Sequence, residues 1–138
     1  MTDSENNRVQ VFGLDGTFRR KWGSKGRGDG YFHFPVGIAV SSGEVFVCDF
    51  YNNRVQVFGL DGTYRRPWRW GEEEFQRDIT VMGEEVFVCD FYKQKVNVFG
   101  LDGTYRRQFD ERIVPTGIDV IGEEVFVVDD VTRIKVFR

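Results

Sequence analysis

The chain has 138 residues, of which 41% are hydrophobic and 16% aromatic, a size that suits one globular unit without a second domain. Its net charge of −3 argues against a general nucleic-acid or membrane binder. No apolar run approaches the roughly 20 residues that cross a bilayer, and the residues after Met1 lack a signal sequence. We therefore expect a cytoplasmic protein that does not act at a membrane.

Near-copies of one phrase recur along the chain. They begin at Arg8, Arg54, Lys95 and Arg133 and read RVQVFGLDGTFRR, RVQVFGLDGTYRR, KVNVFGLDGTYRR and RIKVFR. A period of about 40 residues is typical of stacked supersecondary units. The recurrent residues are therefore expected to be architectural, and function is expected where the copies differ.

One repeat, taken over residues 36–68, contains four short apolar or aromatic runs separated by turn residues. This pattern predicts a four-stranded antiparallel meander, with strands a, b, c and d in chain order. The Asp-Gly pairs at 15–16, 61–62 and 102–103 predict the turn between strands c and d, where a positive φ is tolerated. Strand b is apolar on both faces, which favours sheets packed around an axis as in a β-propeller.

The whole chain is interpreted as one repeat domain over residues 1–138. In chain order it supplies strands c and d at 8–22, a blade at 36–68, a second blade at 77–109, and strands a, b and c at 117–137. This amounts to about three blades, whereas closed propellers have typically four to eight. The sequence therefore predicts a half-propeller that completes a six-bladed ring as a homodimer through a head-to-tail contact.

The ring requires one blade made from two chains. Strands a and b would come from residues 118–129 of one subunit, and strand d from residues 17–22 of the other. Strand c is supplied twice, by residues 8–12 and 133–137, and the sequence leaves open which copy is used. It also leaves open whether the open edges meet a sibling chain or another protein.

Some recurrent polar residues have a structural interpretation. The paired arginines of strand d form either a basic belt or a charged edge strand, and Pro67 favours the edge because proline is tolerated there. Asp49, Asp90 and Asp129, at the end of strand b, are expected to bond the backbone amides of the following turn. Cys48 and Cys89 share one repeat position with Val128, so we expect buried thiols without a disulfide.

The composite of residues 22–40 and 44–66 resembles the NHL repeat. The likeness is carried by the glycine-rich approach, by FPVGIAV from Phe34, by Asp49 after strand b, by NRVQVF from Asn53 and by the closing GLDG. NHL repeats form β-propellers that are usually six-bladed, so the resemblance implies this fold over residues 6–137. It implies one of three functions: protein binding, RNA binding in tripartite-motif-type regulators, or zinc-dependent lyase activity in peptide amidation.

The chain departs from each of these functional patterns. It has no RING, B-box or coiled-coil segment and no basic charge balance. Its single histidine, His33, lies between Phe32 and Phe34 and is expected to be packed, so no Ser-His-Asp, Cys-His or metal-ligand set can be assembled. We therefore expect a protein that is not an enzyme and holds no cofactor or metal.

The two ends of the predicted disc differ in character. The end formed by the ab and cd turns carries Glu44, Glu84, Glu85, Glu123 and Glu124 beside three aspartates, without Lys or Arg, and is expected to be strongly acidic. The bc and da loops at the opposite end differ between copies, and variable loops on a fixed scaffold usually bind ligands. The contact candidates at this end are Lys25, Arg27, Tyr51, Trp70, Tyr92 and Lys93.

These observations predict a non-catalytic scaffold that binds a protein or peptide through its bc/da end. RNA binding by the same end is the alternative, because aromatics next to cations can stack bases and hold phosphates. A third possibility is a structural subunit of a larger assembly.

Overall fold

The computed structural model describes residues 1–69, 76–109, 115–129 and 133–137. These ranges contain short strands and two 3₁₀ turns, Ser4–Asn6 and Phe50–Asn52. The strands are Thr2–Asp3 (β1), Arg8–Phe12 (β2), Phe18–Trp22 (β3), Pro35–Ser41 (β4), Glu44–Asp49 (β5), Arg54–Gly59 (β6), Tyr64–Arg69 (β7), Gln76–Met82 (β8), Glu85–Asp90 (β9), Lys95–Gly100 (β10), Tyr105–Phe109 (β11), Pro115–Ile121 (β12), Glu124–Asp129 (β13) and Arg133–Phe137 (β14). No helix in the described ranges has the length and apolar character that a membrane span needs.

The strands form antiparallel meanders in chain order, which confirms the all-β expectation. The first sheet is β1-β2-β3, the second β4-β5-β6-β7, the third β8-β9-β10-β11 and the fourth β12-β13-β14. Strand d lies at the edge of the second and third sheets, as Pro67 indicated. The short strand β1 was not anticipated, and it pairs Thr2 with Val9 in the position that strand b occupies in the second sheet.

The turn between strands c and d has the same form in the first three sheets. Gly16, Gly62 and Gly103 adopt φ values of +86°, +89° and +88°, a region that L residues with a Cβ rarely enter. The aspartate before each glycine accepts a hydrogen bond from the backbone N–H two residues later, as Asp61 does from Thr63 at 2.9 Å. The glycine of each Asp-Gly pair thus supplies the positive φ that the sequence predicted.

The sheets pack face to face with their first strands adjacent, β4 on β8 and β8 on β12. Three apolar clusters fill the spaces between successive sheets, and the inner strands contribute apolar side chains to both faces. Cys48 and Cys89 are buried and free within this core, and burial raises the pKa of both thiols. The interiors of the four sheets therefore form one continuous stack.

A latch joins the d strands of the first and second sheets, β3 and β7, to the cd turn of the sheet that follows each of them, and the sequence did not reveal it. The Trp22 ring lies 2.8 Å from where a Cβ of Gly62 would stand, and the Trp68 ring 2.7 Å from that of Gly103. The second arginine of the same strand donates to a main-chain carbonyl: Arg66 Nη2 lies 2.9 Å from Leu101 O. The arginines of strand d therefore bind the neighbouring sheet as well as lining an edge.

The ab/cd end is less acidic than the sequence predicted. Arg66 reaches back to strand b and donates to both oxygens of Glu44, at 2.7 and 3.1 Å, and Arg65 adds a contact at 3.1 Å. Arg106 and Arg107 bind Glu85 in the same way. The expectation of an end without cations was wrong because arginines placed on strand d extend to the carboxylates of the ab turn.

Candidate functional site

A buried ion pair organises the bc/da end of the second sheet. Asp49 ends β5 and Arg54 begins β6, so the antiparallel register places them opposite each other. Arg54 Nε lies 2.8 Å from Asp49 Oδ2, and neither side chain is exposed. Asn52 Nδ2 donates to the same carboxylate at 2.9 Å and Gln56 Nε2 at 3.2 Å, so the buried charge is also hydrogen-bonded.

The same ion pair anchors the loop that connects the first sheet to the second. The Arg54 guanidinium donates to three carbonyl oxygens of this loop, those of Arg27 at 3.0 Å, Gly28 at 2.9 Å and Tyr31 at 2.8 Å. Asp49 Oδ1 accepts from the backbone N–H of His33 at 2.7 Å. A glycine-rich loop is thereby held in one conformation against the sheet.

A recess of about 240 Å³ opens where this loop meets the bc turn. Its walls are formed by Arg27, His33, Tyr51, Asn52, Asn53 and Arg54. The rings of His33 and Tyr51 lie 4.9 Å apart, and Tyr51 also contacts Phe50 and Phe34. An exposed phenol and an exposed arginine therefore border a mostly polar cavity whose floor is fixed.

The predicted contact residues separate into groups. Arg27 and Tyr51 line the recess together. Lys25 is exposed on the same loop, where its backbone forms an isolated parallel β-bridge with Phe32. Its side chain does not line the recess. Tyr92 and Lys93 are exposed on the bc turn of the third sheet, and Trp70 lies outside the described residues. Asp130 to Thr132 and Glu72 to Glu74, also expected at this end, lie outside them too.

The role predicted for the recurrent aspartates needs correction at Asp49. Its carboxylate binds Arg54, the backbone N–H of His33 in the preceding loop and the side chain of Asn52, and in the described residues no backbone N–H of the following turn donates to it. At Asp90 the expectation holds, because Oδ1 accepts from the backbone N–H of Lys93 at 3.0 Å. The difference follows from strand c: the third sheet has Lys95 where the second has Arg54, and Lys95 Nζ donates to Gln108. The Asp129 side chain is outside the described part.

Asp78 is a further polar residue that the sequence analysis missed. It stands on the inner strand β8 at the repeat position of Gly37 and Gly117. Its carboxylate accepts from the backbone N–H groups of Ile79 at 2.9 Å and Ile118 at 3.0 Å. Burial raises its pKa, and the nearby charge of Asp119 adds to the shift. The sequence did contain a sign of this residue, because Asp78 stands at a repeat position that is glycine in the other two copies.

Comparison with known proteins agrees with this architecture. The family model of the NHL repeat matches residues 32–58. This range includes strand β5, most of strand β6 and part of the loop that Asp49 and Arg54 anchor. The antiparallel sheets and this match define a protein of the β-propeller class. Within that class, the match identifies one NHL repeat, over residues 32–58.

Several solved structures share the fold. Virginiamycin B lyase from Staphylococcus aureus superposes with a TM-score of 0.73 and 14% identity over 99% of this chain and 50% of that one. The computationally designed Ika4 protein gives 0.68 and 14% over 96% and 79% of the two chains. BamB from Moraxella catarrhalis gives 0.68 and 11% over 94% and 37%. At these identities the likeness concerns the fold alone.

The chain spans about half the length of the two lyase structures that it matches, virginiamycin B lyase and a streptogramin B lyase. No curated protein matches it in a sequence comparison.

Proposed function

We propose that this chain is a non-catalytic half-propeller that pairs with a second copy into a six-bladed ring and binds a protein or peptide at its bc/da end. The observation that carries the binding proposal is the recess beside Arg27 and Tyr51, whose floor is fixed by the buried pair of Asp49 and Arg54. A rigid scaffold that presents a few exposed side chains is the usual form of a binding site.

The chemistry of the recess suits an extended segment with an acidic side chain. Arg27 and Lys25 are exposed cations on the anchored loop, and a guanidinium recognises a carboxylate through paired hydrogen bonds. Tyr51 offers a large ring with a hydroxyl, a combination that is enriched in binding interfaces. Its packing against His33 fixes its direction, which lowers the entropy cost of binding.

A lyase activity receives no support from these residues. The likeness to virginiamycin B lyase is one of fold at 14% identity. The sequence contains a single histidine, His33, and its ring stacks on Tyr51 in the recess wall. Binding without chemistry is therefore the function that we propose.

Selection from a phage-displayed library of random peptides tests the proposal. We expect enriched sequences with an acidic residue, and we expect them to bind Arg27→Glu and Tyr51→Ala at least about 10-fold more weakly than the wild type. Lys21→Glu is the matched control, because Lys21 is an exposed cation on β3 that does not line the recess. Failure to enrich any sequence, or equal binding by all variants, would refute a peptide site here.

RNA is the second candidate, favoured by the exposed Tyr51 ring beside Arg27. Aromatic rings next to cations hold single-stranded RNA by stacking and phosphate contacts. A fluorescent oligouridine separates the two candidates, since phosphate contacts make its affinity fall steeply with salt. Retention of the oligonucleotide that is lost in Lys25→Glu/Arg27→Glu would support RNA binding, and retention unchanged in that variant would count against it.

A further inference from the structure

The acceptors beside the polar recess are occupied by bonds within the protein. Asp49 Oδ1 accepts from the backbone N–H of His33, and Oδ2 accepts from three side chains, those of Asn52, Arg54 and Gln56. The main-chain carbonyls that Asn52 and Arg54 bind are those of Gly26, Arg27, Gly28 and Tyr31. These acceptors are therefore not available to a ligand.

Several donors in the recess walls, in contrast, have no partner within the described residues. They are the guanidinium of Arg27, the ring N–H of His33 and the hydroxyl of Tyr51. Arg54 adds a fourth, because a guanidinium has five N–H groups and the bonds to Asp49 and to the loop use only four of them. The free donors thus belong to both segments that border the recess, the anchored loop and the bc turn with the start of β6.

The recess carries a net positive charge. Arg54 and Asp49 cancel each other as a buried pair, and Arg27 adds an exposed cation. Asp29 is exposed on the same loop but does not line the recess, and the asparagine side chains in the walls carry no charge. A ligand that fits must therefore bring acceptors and negative charge.

Two kinds of side chain bring both, a carboxylate and a phosphorylated hydroxyl. A carboxylate has two oxygens in one plane, and a single guanidinium such as that of Arg27 satisfies both of them. The donors of His33 and Tyr51 would then receive no acceptor from the ligand. A phosphoryl group has three acceptor oxygens and a charge of about −1.5 to −2, so it can bond to Arg27 and to these two donors together.

We propose that the recess binds a phosphorylated side chain of the partner peptide, with Arg27, His33 and Tyr51 as its hydrogen-bond donors. This inference rests on the proposed peptide-binding function and names the chemical group that is recognised. The recess volume of about 240 Å³ is far more than one water molecule needs, so it has room for the phosphoryl group and for the stem that carries it.

The donors are held in place without a ligand. The backbone N–H of Tyr51 donates to the carbonyl oxygen of His33 at 3.1 Å, so a main-chain bond joins the bc turn to the anchored loop. The two rings lie 4.9 Å apart, and the backbone N–H of His33 is bound to Asp49 at 2.7 Å. Donors that are already fixed lose little conformational freedom when the ligand binds, which favours affinity.

The phosphates of RNA suit this donor set less well. Each phosphate in a nucleic-acid chain is a diester with one negative charge and two oxygens outside the chain linkage, whereas a phosphorylated side chain offers three oxygens and a larger charge. A diester would leave one of the three donors without an acceptor. The donor count therefore favours a phosphorylated peptide over RNA.

Binding to three pools of immobilised peptides tests the inference. The pools share degenerate flanking positions and differ only at the central residue, which is phosphoserine, phosphotyrosine or glutamate. We expect the full chain to bind a phosphorylated pool at least about 10-fold more tightly than the glutamate pool, because hydrogen bonds to a charged group are added. The phosphorylated pool that binds more tightly identifies which side chain carries the group.

Variants that remove one donor and keep the aromatic ring show whether the recess is responsible. Tyr51→Phe loses only the hydroxyl and His33→Phe only the ring nitrogens, so the packing of the two rings is retained. We expect each variant to reduce the preference for the phosphorylated pool at least about threefold. Tyr31→Phe is the matched control, because Tyr31 is a similarly exposed tyrosine of the anchored loop whose side chain does not line the recess.

The outcomes separate this inference from the proposed function. Equal binding of the glutamate and phosphorylated pools would overturn the phosphate inference and leave the peptide site in place. A chain that binds none of the pools would overturn both. A phosphate preference that Tyr51→Phe and His33→Phe leave unchanged would overturn the inference, as would an oligouridine that displaces the phosphorylated peptides and binds more tightly than they do. A preference that both variants lose and Tyr31→Phe keeps would support it.

Discussion

Arg54 and Asp49 form an ion pair at 2.8 Å in which neither side chain is exposed to solvent. The pair lies between strand β5, strand β6 and the loop from the first sheet, so three segments depend on it. Removing one partner of a buried pair leaves an uncompensated charge, which is far more costly than losing an exposed pair.

We predict that Asp49→Asn lowers the free energy of unfolding by about 3 kcal/mol, since the Arg54 charge stays buried without a counter-charge. Urea denaturation followed by tryptophan fluorescence measures the change. Asp3→Asn is the matched control because Asp3 binds Arg8 at 2.7 Å in the same geometry, but the two side chains are 22% and 30% exposed. An equal effect of both substitutions would contradict the role given to burial.

A second prediction concerns Gly37, where two backbones approach closely. A Cβ at Gly37 would stand 2.7 Å from Cα of Asp78, so Gly37→Ala must push β4 away from β8. We expect a loss of about 1–3 kcal/mol in the free energy of unfolding. Gly117→Ala at the same repeat position has its nearest neighbour at 3.4 Å, a Val128 methyl, and should be neutral or stabilising by up to about 1 kcal/mol. Thermal unfolding of the two variants measures this difference. A Gly117→Ala variant that is less stable than Gly37→Ala would contradict the prediction.

The third prediction follows from Asp78. Burial raises its pKa above the ordinary 3.8, so the native protein binds this proton more tightly than the unfolded chain does. Its contribution to stability is therefore greatest below the unfolded pKa and falls as the pH rises through the folded pKa. Relative to Asp78→Asn, the wild type should lose stability between acid and neutral pH. A difference in unfolding free energy that stays constant, or grows with pH, would contradict the raised pKa.

Glu85 should show the opposite dependence. Its hydrogen bond from Arg107 holds the pKa of the carboxyl below the ordinary 4.5. The contribution of Glu85 is present above the unfolded pKa and is lost as the pH falls through the folded pKa. Glu85→Gln should therefore be less stable than the wild type at neutral pH and approach it in acid. Unfolding curves at a series of pH values, with Glu84→Gln as the exposed neighbour, measure this.

The repeated strands could be predicted because their signals are local. Alternating β-branched and aromatic residues, with Asp61-Gly62 or its equivalents after strand c, identify each hairpin without reference to other parts of the chain. The phrase that repeats also fixed the order of the strands. Strand β1 was missed because two residues are too few to show a pattern.

The site was less predictable because its parts are distant in sequence. Because Arg54 follows a polar turn, the sequence pattern predicts that it is exposed. In the structure the loop residues Arg27 to Tyr31 bury it. The recess thus depends on the loop between the first and second sheets, and the glycines of this loop do not indicate that the loop packs on Arg54. Arg27 and Tyr51 were found through their position in variable loops, whereas His33 was assigned to packing alone and also lines the recess.

The latch between sheets has a consequence for how such proteins change over time. Arg66 donates to the carbonyl oxygen of Leu101 and Trp68 lies over Gly103, so these two contacts depend on the main chain of the receiving turn. A hairpin with the same backbone shape and an apolar residue at the position of Leu101 offers the same contacts. Whole blades can therefore be duplicated or recombined in evolution while the contacts between neighbouring sheets are kept.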